Sequence, residues 1–213
     1  HSASSAASDV YKRQVFVRTP SWYSPINAVM YFFREIANAG FNRKTARHRN
    51  MEDLKIIVTS GGRNLDLGKR VKSLVEGMGK TSSIIELDNY EMPIYTRANK
   101  NAKLEHLRRL IQDLEGAAPW IVLLPEYNGG LPPVWINALT WISVDYEDFR
   151  SLFNRRKVAI GTASGGHGWK ALAAMREQFA HLGSDVVGRY LRDAKSSPAT
   201  EESIKDALSR LGL

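Results

Sequence analysis

The 213 residues carry 30 Lys and Arg, 22 Asp and Glu and no cysteine, which excludes disulfides, thiolate metal sites and thiol catalysis. The formal charge of +8 points toward nucleic acid only until it is mapped, because residues 1–50 hold eight basic and two acidic side chains and the rest of the chain a nearly balanced 22 and 20. Nucleic-acid binding needs basic residues gathered on the folded domain, and a membrane span needs an apolar run of ~18 residues; neither partner is expected.

The first fifty residues read as foreign to a folded domain. A Ser/Ala-rich start leads into Asp9-Val-Tyr-Lys-Arg-Gln14, which resembles the translation of an adapter used in sequencing libraries. The expectation is a non-native or upstream segment, with a start at Met51 and a cytoplasmic protein. The rival is a transit peptide, since the segment is rich in Arg and Ser and poor in acids, and that reading places the protein in an organelle.

From Met51 strand and helix patterns alternate, which argues for parallel βα units. Leu54–Ser60 reads as a first strand, followed by a helix carrying Leu67, Val71, Leu74, Val75 and Met78 on one stripe. Ser83–Asp88 is a short second strand, and Leu104, Leu107, Ile111 and Leu114 mark a second helix. Trp120–Leu124, an unbroken apolar run, is a strand buried on both faces. Pro133 opens a third helix that runs to about Val144, a proline in the first turn losing no hydrogen bond. Lys157–Ala163 is the fourth strand, and Leu172, Met175, Phe179 and Leu182 line the helix after it. Asp185–Leu191 is the fifth strand. A last helix starts near Thr200, read as its N-cap, with Glu201 and Glu202 in the first turn. Five such units in about 160 residues fit a three-layer α/β fold of the flavodoxin type, a five-stranded parallel sheet of order 2-1-3-4-5 with helices on both faces.

Open α/β sheets bind ligands beyond the carboxyl ends of their strands, and three loops lie there. After strand one, Ser60-Gly-Gly-Arg-Asn64 offers glycines for close backbone approach, successive N–H groups and a helix N-terminus suited to an anion. Arg63 is available for a phosphate; a tight turn needing glycine is the bland alternative. After strand three, Pro125-Glu-Tyr-Asn-Gly-Gly130 brings together backbone donors, a carboxylate, a ring and an amide, a mixture that suits a planar heteroaromatic ligand. Glu126 has no second carboxylate or histidine nearby in sequence, so a structural or backbone role is favoured over proton transfer. Asn128 tolerates unusual backbone angles, and Gly129 lets the chain turn beneath a ligand. After strand four, Ser164-Gly-Gly-His-Gly168 combines a hydroxyl, glycines and His167. With His106 and His181 the only other histidines beyond Met51 and no clustered acids, a metal site is not expected. Ser164 lacks the G-x-S-x-G setting of a nucleophile.

These residues resemble the NAD(P)H-dependent FMN reductase family, flavodoxin-like proteins that include quinone, azo-dye and chromate reductases. The match runs through most of residues 51–213. P-E-Y-N-G-G-L-P-P-V-W-I-N-A-L-T-W is similar to the family's P-E-Y-N-x-x-x-P-x-x-L-K-N-A-x-D-W, and S-G-G-H-G before a helix supports it, as does the stretch from Ala174 to Gly183. The resemblance implies FMN held at its phosphate by Ser60, Gly62 and Arg63. It places the isoalloxazine against Pro125, Glu126, Tyr127, Asn128 and Gly129, with Ser164, Gly165, Gly166 and His167 on the other side. It implies NADPH or NADH as co-substrate, a small-molecule electron acceptor such as a quinone or free flavin, no catalytic side chain, and a homodimer or homotetramer through the 132–144 helix. The sequence departs from the family in loop one. Gly62 stands where a serine is usual, and Asp66 brings a carboxylate where a hydroxyl is usual. An electron carrier of the flavodoxin type and a flavin-free interaction protein of the same fold are the alternatives. The loop Asn89–Lys100 is a candidate cover for the nicotinamide or acceptor, with Arg97 available for a 2′-phosphate.

Overall fold

A computed structural model of the protein describes residues 52–59 and 61–213. The expectations for residues 1–50, and that for Ser60, lie outside the described residues. The described residues belong to one compact unit, Met51–Leu213.

Strands β1 (Leu54–Val58), β2 (Ser82–Glu86), β3 (Trp120–Leu123) and β4 (Lys157–Thr162) alternate with helices α1 (Arg63–Gly77), α2 (Glu105–Leu114), α3 (Pro133–Asp145) and α4 (Trp169–His181). Two short strands, β5 (Asp185–Val186) and β6 (Leu191–Arg192), and helix α5 (Glu201–Leu211) complete the unit. The order is β2-β1-β3-β4-β5, with β6 also on β4, and every pairing is parallel. The flavodoxin-type order expected from the pattern is therefore present.

Successive strand residues point to opposite faces, and here both faces are covered. Ile57, Val122, Leu124, Val158 and Ile160 pack under α2, α3 and α4 with Leu110, Trp141, Met175 and Phe179. Ile56, Val58, Ile121, Leu123 and Ala159 pack under α1 and α5 with Leu67, Val71, Ile204 and Leu208. That double burial is why the strands read as unbroken apolar runs. Each buried aliphatic side chain contributes roughly 2 kcal/mol, so the sheet is a stiff platform for whatever its loops hold.

The first four strands lie within two residues of the bounds read from the sequence, with β2 at Ser82–Glu86 in place of Ser83–Asp88, and two differences bear on the rim. Helix α1 begins at Arg63, inside the Ser60–Asn64 stretch read as a loop, so its first turn reaches directly into loop one. The fifth strand is broken in two. Val186 lies opposite Val158, and Leu191 lies opposite Gly161, so five steps on one strand face three on β4. The excess loops out at Val187–Tyr190. Arg176 of α4 holds this bulge, its Nη2 donating to the Val187 carbonyl (3.1 Å) and its Nε to the Tyr190 hydroxyl (2.7 Å). A two-residue period carries no mark of such an insertion. Gly161 accommodates the return of the chain, since a Cβ there would stand 2.5 Å from the Leu191 carbonyl oxygen.

Candidate active site

Loops one, three and four share the rim where β1, β3 and β4 end. Loop one is open. Gly62 has φ +83°, and added Cβ atoms at Gly61 or Gly62 would meet nothing within 4 Å. The N-cap of α1 is Gly62, and among the described residues no side chain caps the helix, which leaves its positive end and first N–H groups for solvent or an anion. The neighbouring Thr59 hydroxyl is buried and has no hydrogen-bond partner among the described residues.

A buried asparagine clasps loop one to loop four. Asn64, 6% exposed, donates to the Ala163 carbonyl (3.1 Å) and accepts from the Ala163 N–H (2.8 Å). Arg63, expected to reach a phosphate, donates to the carbonyls of Ser164 (2.8 Å) and Asp193 (2.7 Å), with the Asp193 carboxylate 3.5 Å away. In this arrangement loop one presents backbone and a helix end, and Arg63 secures the neighbouring segments. Neither Asn64 nor Asp193 stood out in the sequence. The one hint for Asn64 was its place at the start of a helix behind two glycines.

Loop three is a tight hairpin. Tyr127 and Gly130 exchange N–H···O bonds of 3.1 and 2.9 Å, and Asn128 (φ +51°) and Gly129 (φ +75°) between them are left-handed. Asn-Gly in a two-residue turn with both φ angles positive is the type I′ arrangement. It leaves Tyr127 53% exposed at the tip of the turn. The half-buried Glu126 turns its carboxylate to α4, accepting from the N–H groups of Lys170 (3.1 Å) and Ala171 (3.2 Å). Gly168 at the N-cap has no side chain to do this, so the acid comes from another loop. Pro125, half-buried like Glu126, ends the run that leads out of β3.

Loop four leans on loop three through a hydroxyl pair. Ser164 Oγ accepts from the Glu126 N–H (3.2 Å) and lies 2.8 Å from Thr162 Oγ1. Gly165 and Gly166 are exposed, with open space where a Cβ would be. His167 is exposed too, its Nδ1 3.2 Å from Arg192 Nη1. Arg can only donate, so in this bond Nδ1 is the acceptor.

The rim therefore gathers Gly62, Arg63, Tyr127, Asn128, Gly129, Ser164, Gly165, Gly166 and His167, with Pro125 and Glu126 at its base. Arg63, Glu126 and Ser164 bind other loops with their side chains. Gly62, Tyr127, Gly165 and Gly166 stay open, and His167 is exposed with its Nδ1 tied to Arg192. One helix end, at α1, is free for an anion; the other, at α4, already holds a carboxylate.

The sequence model of NADPH-dependent FMN reductases matches residues 56–196. The chain belongs to that family. FMN with NAD(P)H as co-substrate is the cofactor pair that membership in this FMN reductase family assigns. The residues present fit such a group, with an uncapped helix end for a phosphate and open glycines with an exposed ring for a planar system. Solved structures agree on the fold. The flavoenzyme NAD(P)H:(acceptor) oxidoreductase FerB from Paracoccus denitrificans is 20% identical at a TM-score of 0.57, covering 76% of this chain and 93% of its own. RosB with a bound 8-demethyl-8-formylriboflavin 5′-phosphate is 11% identical at 0.60, covering 74% and 77%. A flavodoxin from Pseudomonas aeruginosa is 16% identical at 0.51, covering 75% and 99%. A search of curated protein sequences finds no significant match. No helix among the described residues of this reductase-family chain is long and apolar enough to cross a membrane.

Proposed function

We propose that the protein is an FMN-dependent NAD(P)H oxidoreductase that reduces a small acceptor, a quinone or free flavin, in two half-reactions of ping-pong order. The observation that carries this reading is the pairing of an uncapped α1 N-terminus with the open glycines of loops one and four, locked together by Asn64. Bound FMN would supply the chemistry, accepting hydride from the nicotinamide and passing electrons on. The chain's own residues bind and orient. The first N–H groups of α1 hold the phosphate, Gly165 and Gly166 give their backbone to the ring edge, and Tyr127 covers a face. No side chain needs to move a proton, because the Glu126 carboxylate is committed to two backbone amides and Ser164 to the loop-three backbone.

A second copy of the chain is the expected partner. Helix α3 carries no charged residue before Asp145 and exposes Ile136 and Val144, apolar surface suited to a twofold contact. Sedimentation of the full chain is expected to show a dimer or a tetramer, and a monomer at micromolar concentration ends this part of the reading.

The test of function is reconstitution of the purified full chain with FMN, followed by NADH and NADPH oxidation at varied quinone. Parallel double-reciprocal lines are the expected pattern. Failure to bind FMN, or flavin that no nicotinamide reduces, overturns the assignment.

A further inference from the structure

Trp169, the first residue of α4, is 54% exposed, whereas the other described tryptophans, Trp120, Trp135 and Trp141, are buried. It adds little to the core. Its surroundings are ordered all the same. The Arg192 guanidinium carbon stands 4.9 Å from the indole centre, and Arg192 Nη1 also reaches His167 Nδ1 at 3.2 Å. Tyr190 meets the indole at 6.4 Å and 64° and is itself fixed by Arg176. The bulge between β5 and β6 creates this cluster, because it displaces Tyr190 toward α4 and delivers Arg192 beside loop four.

The local charge is positive and uncompensated. Among the described residues no carboxylate lies within ion-pair distance of Arg192. The two acids nearest in the chain and the loops are occupied. Asp193 accepts from the Ala199 N–H (2.9 Å) and pairs with Arg63 and Arg70, each at 3.5 Å. Glu126 caps α4. An exposed indole offers a stacking face for a heteroaromatic base, and a guanidinium with no carboxylate partner binds a phosphate through its remaining N–H donors.

We propose that Trp169 and Arg192 form the subsite for the adenosine 2′-phosphate end of the dinucleotide, so that the protein prefers NADPH to NADH. The inference rests on the oxidoreductase reading and refines it. It moves the 2′-phosphate contact from Arg97, exposed on the 89–100 loop, to the edge of loop four, two residues from His167. The adenine stacks on Trp169, Arg192 takes the 2′-phosphate, and the nicotinamide reaches back over loop four toward the flavin ring.

The experiment uses the full chain and calorimetric titration with 2′,5′-ADP, 5′-ADP and inorganic phosphate, without flavin. The expected result is that 2′,5′-ADP binds most tightly and quenches tryptophan fluorescence. Arg192→Ala weakens 2′,5′-ADP by about tenfold, the loss of one charge-assisted phosphate contact, and leaves 5′-ADP within about twofold. Trp169→Ala weakens both nucleotides and abolishes the quench, and Trp169→Phe restores binding without it. In steady state Arg192→Ala raises KM for NADPH by about tenfold while kcat and the KM for NADH hold. The proposal is overturned if 2′,5′-ADP binds no better than 5′-ADP or phosphate, or if both truncations bind as the parent does. A parallel FMN titration decides the oxidoreductase reading by itself, since the nucleotide titrations contain no flavin.

Discussion

The two ends of the sheet treat their polar groups in opposite ways. Where the strands begin, buried cations close the structure. Lys55 donates to the carbonyls of Asp113 and Glu115, capping the end of α2. Arg156 donates to the carbonyls of Leu152, Ala118 and Gly116, with its guanidinium 4.3 Å from the Trp120 ring centre. Where the strands finish, α1 is uncapped, four glycines border open space, and the bonds that form tie loop to loop. The closed end satisfies its own backbone and holds the fold. The open end leaves donors available for the proposed ligand, on a platform that the closed end makes rigid.

The largest effect should come from breaking the closed end. Arg156 is 8% exposed, and burial pulls its pKa down to about 10, still far enough above neutrality to keep the guanidinium charged. Arg156→Ala strands three carbonyls, and unfolding in urea should show a loss of about 3 kcal/mol. FMN affinity should stay within about twofold, because the site lies at the other end of the sheet. A loss below about 1 kcal/mol, or flavin affinity falling in step with stability, would mean that the two ends are not separate in function.

A glycine pair sharpens the contrast within loop four. At Gly168, φ is +68° and a Cβ would stand 2.4 Å from Thr162 Cγ2. Gly168→Ala is expected to cost about 2 kcal/mol through strain and overlap. At Gly165 a Cβ meets nothing, so Gly165→Ala should leave the thermal midpoint alone and still weaken FMN by about tenfold, a methyl standing where the ring edge would lie. Unchanged flavin quenching by Gly165→Ala would remove loop four from the ring site.

The difference between these glycines also marks what the sequence made legible. Strands buried on both faces, such as Trp120–Leu123, show in the sequence as apolar runs, and the glycine-rich βα loops show as punctuation. The fold, and the meeting of the three loops at one rim, follow from those two signals. Side-chain partners across the rim do not. Nothing in the spacing of Glu126 reveals that it serves α4, 44 residues on, because the need arises from Gly168 lacking a capping oxygen. Asn64 reads as an ordinary helix-start residue until β4 brings Ala163 against it. The bulge at Val187–Tyr190 depends on Arg176 from another element, a tertiary cause that periodicity cannot carry.

Glu126 tests whether loop three acts through its backbone. Glu126→Ala removes an acceptor from two N–H groups at the start of α4 and should lower stability by about 1 kcal/mol. Glu126→Gln keeps an acceptor oxygen and should recover part of it. In both variants the turnover-versus-pH curve should keep its shape, because the carboxylate carries no proton in the reaction. Loss of one limb of that curve would turn Glu126 into an acid or base.

The smallest effect concerns charge at the open end. Asp66 sits exposed in the first turn of α1, the helix end proposed to hold the FMN phosphate. An acid there complements the positive end of an empty helix, and it repels a phosphate dianion placed at the same end. Asp66→Asn should therefore weaken the helix slightly while tightening FMN by about two- to fivefold at low salt, the 0.3–1 kcal/mol scale of such contacts. The gain should shrink as salt screens both charges over about 8 Å at physiological ionic strength. Flavin fluorescence titrations at two salt concentrations read both quantities. An affinity that does not change would place the phosphate beyond the reach of α1 and return Arg63 to the role that the sequence first suggested.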